Sequence, residues 1–215
     1  MNCSNLGPSY AFRPSGNTTF QITQIDVPTN CSLKTALALD GAGGVHIAYE
    51  GDSYHLRHAY KPAGLPWRAE TVDSMNTTSQ GGEASIAVGS DGTVHIAYHV
   101  FQSASNKFLY YAAKPVGGTW SIAAIDATSD WTGRHTSIAL DSQGAIHVGY
   151  VDHANDRLRH AYRSPGAGSW VRETVDTAAV VDGTSTTTSL PGLLGIAYEI
   201  FDGTRNRVHF AYKCN

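Results

Sequence analysis

Short runs of alternating apolar and polar residues fill the chain, broken by Gly, Pro, Ser and Asp, and they return with a period of roughly 50 residues. The most legible copies read ALDGAGGVHIAY, AVGSDGTVHIAY, ALDSQGAIHVGY and SLPGLLGIAY. Set in register, each unit holds four strand-like pieces. The first covers residues 36–40, 85–89, 137–141 and 187–191, and the second 45–49, 94–98, 146–150 and 194–198. A third reads LRHAYKP around His58, LYYAAKP around Tyr111, LRHAYRS around His160 and VHFAYKC around Phe210. The fourth spans 67–73, 120–126 and 170–176, each opened by Trp and closed by Asp. Period-2 patterning with β-branched and aromatic enrichment predicts strands, and no segment sustains a helical period.

Four short antiparallel strands per unit describe the blade of a β-propeller. Along the second strand Val45, Ile47 and Tyr49 point one way while His46 and Ala48 point the other, so both faces need a neighbouring blade. The expected fold is all-β: one domain over 1–215, a small propeller of four blades in repeats at 34–73, 83–126, 135–176 and 185–213. Upstream, PSYAFRP and FQITQID match the third and fourth strands, with Phe20 at the Trp position and Asp26 at the Asp position. Residues 9–26 are therefore expected to close the last blade, which stops after its third strand at Cys214. This leaves a fifth copy of the third strand. It adds an outer strand, displaces the C-terminal copy, or marks two chains sharing strands in a larger ring; the single-chain ring is the favoured arrangement.

Composition narrows the partners. A net charge of -3, a charged fraction of 15% and 22 glycines suit a turn-dense all-β domain with no basic face for nucleic acid. No apolar run is long enough to span a membrane as a helix, and the N-terminus reads as free of a signal peptide, Met1 standing where a leader would have been removed. Cys3 precedes a third strand and Cys31 follows a fourth, so propeller topology puts both on one face and a disulfide between them is geometrically allowed, with Cys214 on the opposite face. Three reduced thiols are the alternative. Asn2, Asn17, Asn30 and Asn76 stand in Asn-x-Ser/Thr sequons, and with the cysteines they point to a secreted, extracellular protein.

The candidate chemistry lies where the repeats diverge, on the face formed by the fourth-to-first and second-to-third loops. Lys34, Glu83, His135 and Ser185 stand at the entrance of the first strands, and Glu50, His99, Val151 and Glu199 follow the second. Carboxylates, imidazoles and an amine converging on one axis suit general acid/base work, a metal or a mutually neutralising rim. No metal and no cofactor are expected. Two second-to-third loops, YHVFQSASNKF and YEIFDGTRNRV, set Phe101 against Phe201 and Asn106 against Asn206, while the other two blades carry YEGDSYHLRH and YVDHANDRLRH, the latter with Asp152. That alternation points to duplication of a two-blade ancestor. The Phe pair either forms a stacking platform for sugar rings or folds back over its own blades. Trp131, beside Arg134 and His135 in a loop outside the repeat, is a candidate for ligand stacking or for anchoring its loop. His46, His95, His147, His58 and His160 occupy repeat-equivalent positions and read as buried structural histidines. Asp26, Asp73, Asp126 and Asp176 read as turn caps at strand ends.

The pattern A-L-D-x-x-G-x-x-H-I-x-Y followed by W-x-x-E-T-V-D resembles the repeats of secreted bacterial propellers grouped with BNR-like and lectin propellers, over residues 9–213. Such propellers include sugar-binding lectins, polysaccharide-cleaving enzymes and adhesion modules, so the resemblance implies blade structure more than activity. The sialidase box S-x-D-x-G-x-x-W is absent, the corresponding links being KPAGLPW, KPVGGTW and RSPGAGSW, and no sialidase residue is carried over. The expected function is binding of a glycan or similar polar small molecule. Phe101, Phe201 and Trp131 would give flat contact, and Glu50, His99, Asn106, Asp152, Asn206 and His135 hydrogen bonds. The alternatives are a polysaccharide lyase or hydrolase with His99 or His135 as base and Glu50, Glu83 or Glu199 as acid, and an adhesion or homo-oligomerisation module.

Overall fold

The computed structural model describes residues 7–26, 34–51, 54–74, 79–80, 83–103, 106–128, 131–177, 186–190, 193–201 and 203–214. Each repeat folds as an antiparallel meander in sequence order, as its tight turns require. The first sheet runs β3 (Thr35–Leu39), β4 (Val45–Glu50), β5 (Leu56–Lys61) and β6 (Arg68–Asp73). The second runs β8 (Ser85–Val88), β9 (Val94–Ser103), β10 (Asn106–Lys114) and β11 (Ser121–Asp126), with β7 (Ser79–Gln80) also paired to β9. The third is β12 (Thr132–Leu140), β13 (Ile146–Asp152), β14 (Arg157–Arg163) and β15 (Val171–Asp176), and the fourth β16 (Thr186–Leu190), β17 (Leu193–Phe201) and β18 (Asn206–Cys214). Successive first strands pack together, β3 on β8, β8 on β12 and β12 on β16.

Burial follows from that stacking. Every residue of β4 and of β13 is buried, because both faces of a second strand meet a sheet. One apolar cluster fills each interface: Ala48, Leu56 and Val72 against Ile86, Ile96 and Tyr98; Ala97, Leu109 and Ile125 against Ile138, Val148 and Tyr150; Val151 and Leu158 against Ile196 and Tyr198.

Among the described residues the N-terminal strands do not join the last sheet. Among the described residues β1 (Ser9–Phe12) and β2 (Gln21–Gln24) pair only with each other, and β18 is at the edge of its sheet. The hairpin instead packs on the first sheet, where Tyr10 and Ile25 join Val45, Ile47, Tyr49 and Ala59. Tyr10 meets Trp67 edge-on at 5.4 Å, as His58 meets Trp120 at 5.4 Å and Tyr111 meets Trp170 at 5.2 Å. The hairpin thus packs on the first sheet as each later sheet's predecessor packs on it.

The closing aspartates do more than cap turns. The hydroxyl of the repeated tyrosine in each second strand donates to the aspartate ending the preceding unit: Tyr49 to Asp26 at 2.5 Å, Tyr98 to Asp73 at 2.7 Å, Tyr150 to Asp126 at 2.7 Å and Tyr198 to Asp176 at 2.6 Å. Asp126 also caps its own turn, accepting from the Thr128 amide at 3.0 Å. Burial, with the aspartate charge beside it, raises each of these tyrosines, Tyr198 to about 12. A neutral phenol donating to a carboxylate is a charge-assisted bond, repeated at every sheet interface.

One close approach requires glycine. Gly133 has φ +100°, and a Cβ there would stand 2.7 Å from the Leu109 Cβ and 2.8 Å from its Cα. Gly133→Ala is expected to cost about 2 kcal/mol or more, read as a lower thermal midpoint; an unchanged midpoint would show that β12 can move off β10.

Candidate functional site

A cleft of about 970 Å³ opens between the first and second sheets on the side of the hairpin turns. β5 delivers His58 and Tyr60 to one face because they are two residues apart in a strand. The β4/β5 register pairs His46 with Tyr60 and Ala48 with His58, which sets the His46 and His58 rings on one diagonal. His46 Nδ1 faces His58 Nε2 at 3.0 Å, His58 Nδ1 faces the Glu70 Oε1 at 3.2 Å, and His46 Nε2 faces the Asp40 Oδ2 at 3.3 Å. Lys114, at the end of β10, crosses from the second sheet and donates to both Glu70 oxygens at 2.7 and 2.6 Å. Tyr60 stacks on His46 at 4.3 Å and donates to Asp40 at 3.2 Å. Arg68, Asp91, Pro115 and Val116 complete the walls.

Proton counting ranks the links in this chain. Both carboxylate bonds and the His–His bond together require three N–H groups on four ring nitrogens, so a neutral pair leaves one bond unmade. Burial pushes His46 down, which favours its neutral form. The longest contact, His46 to Asp40, is then the one without a proton. Asp40 loses little by this: against the opposing effect of burial, amides of Gly44 and Ala42 hold it below its ordinary value, donating to Oδ1 at 2.7 and 2.9 Å. Glu70 falls to about 2, first through the His58 hydrogen bond and then through Lys114, with burial opposing both. It is an ionised anchor.

At the predicted mouth the structure brings together Lys34, Glu83 and His135, one from each of three sheets. Lys34 Nζ lies 3.1 Å and Arg134 Nε 3.5 Å from Glu83 Oε1, the His135 amide donates to Oε2, and the Thr136 hydroxyl donates to the Glu83 carbonyl. Against burial, the His135 amide and these charges hold Glu83 below the ordinary carboxylate range, which makes it an inter-sheet tie rather than a proton donor. Ser185 lies outside the described residues. Glu50 is buried at the end of β4, His99 is half-buried in β9 opposite Leu109, and Glu199 is half-buried in β17, within 3.4 Å of the Asn206 amide.

The loop residues are more dispersed. Both Asp152 oxygens accept from the Asn155 amide, at 3.1 and 2.9 Å, which closes the β13–β14 turn. Phe101 is half-buried in β9 and Phe201 exposed at the end of β17 opposite Asn206, while the side chain of Asn106 is outside the described set. Trp131 is 40% exposed at φ 62°, its carbonyl accepting from the His153 amide at 3.1 Å and its ring tilted on the His153 ring at 5.9 Å. Cys3, Cys31, Asn2, Asn30 and Asn76 also lie outside the described residues, whereas Asn17 is exposed between β1 and β2. Of the histidines read as structural, His46, His58, His147 and His160 are buried and bonded and His95 is half-buried, yet His46 and His58 also line the cleft. The signal was present in sequence as His, Glu and Lys at matched positions of the repeat.

No family model matches the chain, and no protein of curated function matches it in sequence. Solved structures do. An ulvan lyase, a polysaccharide lyase, superposes with a TM-score of 0.66 at 11% identity over 100% of this chain and 61% of its own. The six-bladed fucose-recognising lectin of Aleuria aurantia gives 0.64 at 14% identity over 94% of this chain and 66% of that one. The intramolecular trans-sialidase of Ruminococcus gnavus gives 0.61 at 19% identity over 94% and 49%. The fold is of the β-propeller type. At these identities the likeness carries the fold alone, and the chain spans about three fifths of the length of the first such structures, 64% and 61%.

No helix among the described residues is long and apolar enough to cross a membrane. Nor do the described residues form a cluster of three or more His, Cys, Asp or Glu placed to hold a metal ion.

Proposed function

We propose that the chain is a carbohydrate-binding propeller whose ligand sits in the cleft between the first and second sheets. The observation that carries this is the lining: carboxylates, imidazoles, a phenol and an amine line one concave wall and Pro115 and Val116 stand among them as apolar contact. A sugar ring needs that mixture, hydrogen bonds for its hydroxyls and an apolar surface for its C–H face. The charges favour an uncharged ligand. Asp40, Glu70 and Asp91 face Arg68 and Lys114, and Lys114 is already bound to Glu70. Lectin, lyase and sialidase neighbours make carbohydrate binding or processing a natural use of the fold, without assigning either to this chain. The secreted location expected from the sequons fits the same proposal.

The test is a titration against a panel of free sugars, L-fucose, D-galactose, D-glucose and N-acetyl-D-glucosamine, with a product assay on those that bind. Tyr60→Ala removes a stacking wall and a hydroxyl and is expected to weaken binding by about tenfold or more. If Trp131→Ala abolishes binding while Tyr60→Ala leaves it intact, the ligand belongs at the mouth instead. Release of cleaved oligosaccharide from polysaccharide substrates would turn the reading to an enzyme.

A further inference from the structure

The chemistry of the cleft recurs once, two sheets further on. His147 on β13, His160 on β14, Glu173 on β15 and Lys213 on β18 repeat His46, His58, Glu70 and Lys114 in strand and register. The geometry repeats with them. His147 Nδ1 faces His160 Nε2 at 3.1 Å, His160 Nδ1 faces the Glu173 Oε1 at 2.9 Å, and Lys213 crosses between sheets to Glu173 at 3.1 and 3.3 Å. Even the weak link is kept, His147 Nε2 standing 3.5 Å from Asp141. A second cavity of about 240 Å³ opens there, with His160, Glu173, Tyr212 and Lys213 among its walls.

The interface between these two is built otherwise. Tyr111 stands where His58 and His160 do, and it pairs with Ala123 where they pair with Glu70 and Glu173. Arg163 replaces the lysine, its guanidinium 4.6 Å from the Tyr111 ring and 4.9 Å from the Trp170 ring, and His95 bonds the Tyr111 hydroxyl at 2.6 Å. The space that a Lys–Glu pair spans in the other two interfaces is here occupied by a cation stacked between two rings.

We infer that the chain carries two sites for uncharged, hydroxyl-rich ligands, one in each His–His–Glu–Lys cleft, and none at the interface between them. This rests on the cleft reading above and adds the number and places of the sites. The second cleft is the smaller, about 240 Å³ against about 970 Å³, and Tyr212 stands where the second sheet has Ala113. It should therefore take a smaller part of the same kind of ligand. Two sites on one rigid scaffold make attachment to a sugar-bearing surface partly intramolecular, which slows release without a new contact.

Native mass spectrometry with L-fucose, D-galactose, D-glucose and N-acetyl-D-glucosamine counts the sites. The wild type is expected to take up to two sugars per chain, Glu70→Gln and Glu173→Gln one each, and the double variant none, with thermal midpoints recorded to establish that each is folded. On a sugar-coated surface each single variant should dissociate more than tenfold faster than the wild type. One sugar per chain in the wild type, unchanged by Glu173→Gln, overturns the second site and leaves the first standing. Two sugars retained by a folded double variant overturn both clefts as sites, and no uptake of any sugar by the wild type overturns the carbohydrate reading with them.

Discussion

Asp126→Ala should lower the thermal midpoint by about 6–12 °C, corresponding to roughly 3 kcal/mol in a chain of this size. The carboxylate is fully buried and serves two sheets at once. Within its own turn it accepts from the Thr128 amide and hydroxyl, at 3.0 and 2.6 Å. Across the interface it accepts from the Tyr150 hydroxyl at 2.7 Å and the Arg159 guanidinium at 2.8 Å. Alanine leaves a buried phenol and a largely buried cation without their acceptor, and the cost of stranding such groups exceeds the net worth of the bonds themselves. Tyr150→Phe is the milder companion, about 1 kcal/mol, because Asp126 keeps its other donors. A midpoint for Asp126→Ala within 1 °C of the wild type would mean that the tyrosine–aspartate clasp does not hold the sheets together.

These clasps show where sequence reading reaches and where it stops. The period, the four strand types and the burial of both faces of the second strand follow from alternation and composition, which are local. An aspartate at the end of Trp-x-x-E-T-V-D is also local, and turn capping accounts for part of its role. Its partner is not: Tyr98 lies 25 residues beyond Asp73, within a strand of the next sheet, and only the stacking of sheets brings them together. Placement of the hairpin is hard to read for the same reason, since residues 9–26 match strand types three and four whichever sheet they join, and in the fold they pair with each other while Tyr10 meets Trp67 and Asp26 meets Tyr49. At the mouth, Lys34, Glu83 and His135 were legible as neighbours because equivalent positions in successive blades converge. The cleft was not, because it depends on a diagonal between His46 and His58 across two strands and on a lysine arriving from the following repeat.

Acidification should destabilise the fold well before its carboxylates titrate. Burial pushes His95 down to about 4, with Asp91 opposing and Arg163 assisting, and burial also pushes His46 and His160 below their ordinary value. A base whose folded pKa is depressed takes up its proton in the unfolded chain first. Between about pH 6.5 and 4 the unfolded state therefore binds more protons than the folded one, and stability falls as pH falls. For His95 alone that window amounts to about 3 kcal/mol. Glu70 acts lower down: its pKa of about 2 means a contribution present above about pH 4.5 and lost as pH drops toward 2. Two separate losses are expected in a plot of unfolding free energy against pH. His95→Gln, which keeps a hydrogen-bonding side chain beside the Tyr111 hydroxyl, should flatten the upper one and leave the lower in place. If the slope between pH 6.5 and 4 is the same in His95→Gln as in the wild type, the half-buried imidazole at the middle interface is not what the acid attacks. His46 and His160, which burial also pushes down, would then be the groups whose protonation opens the sheets.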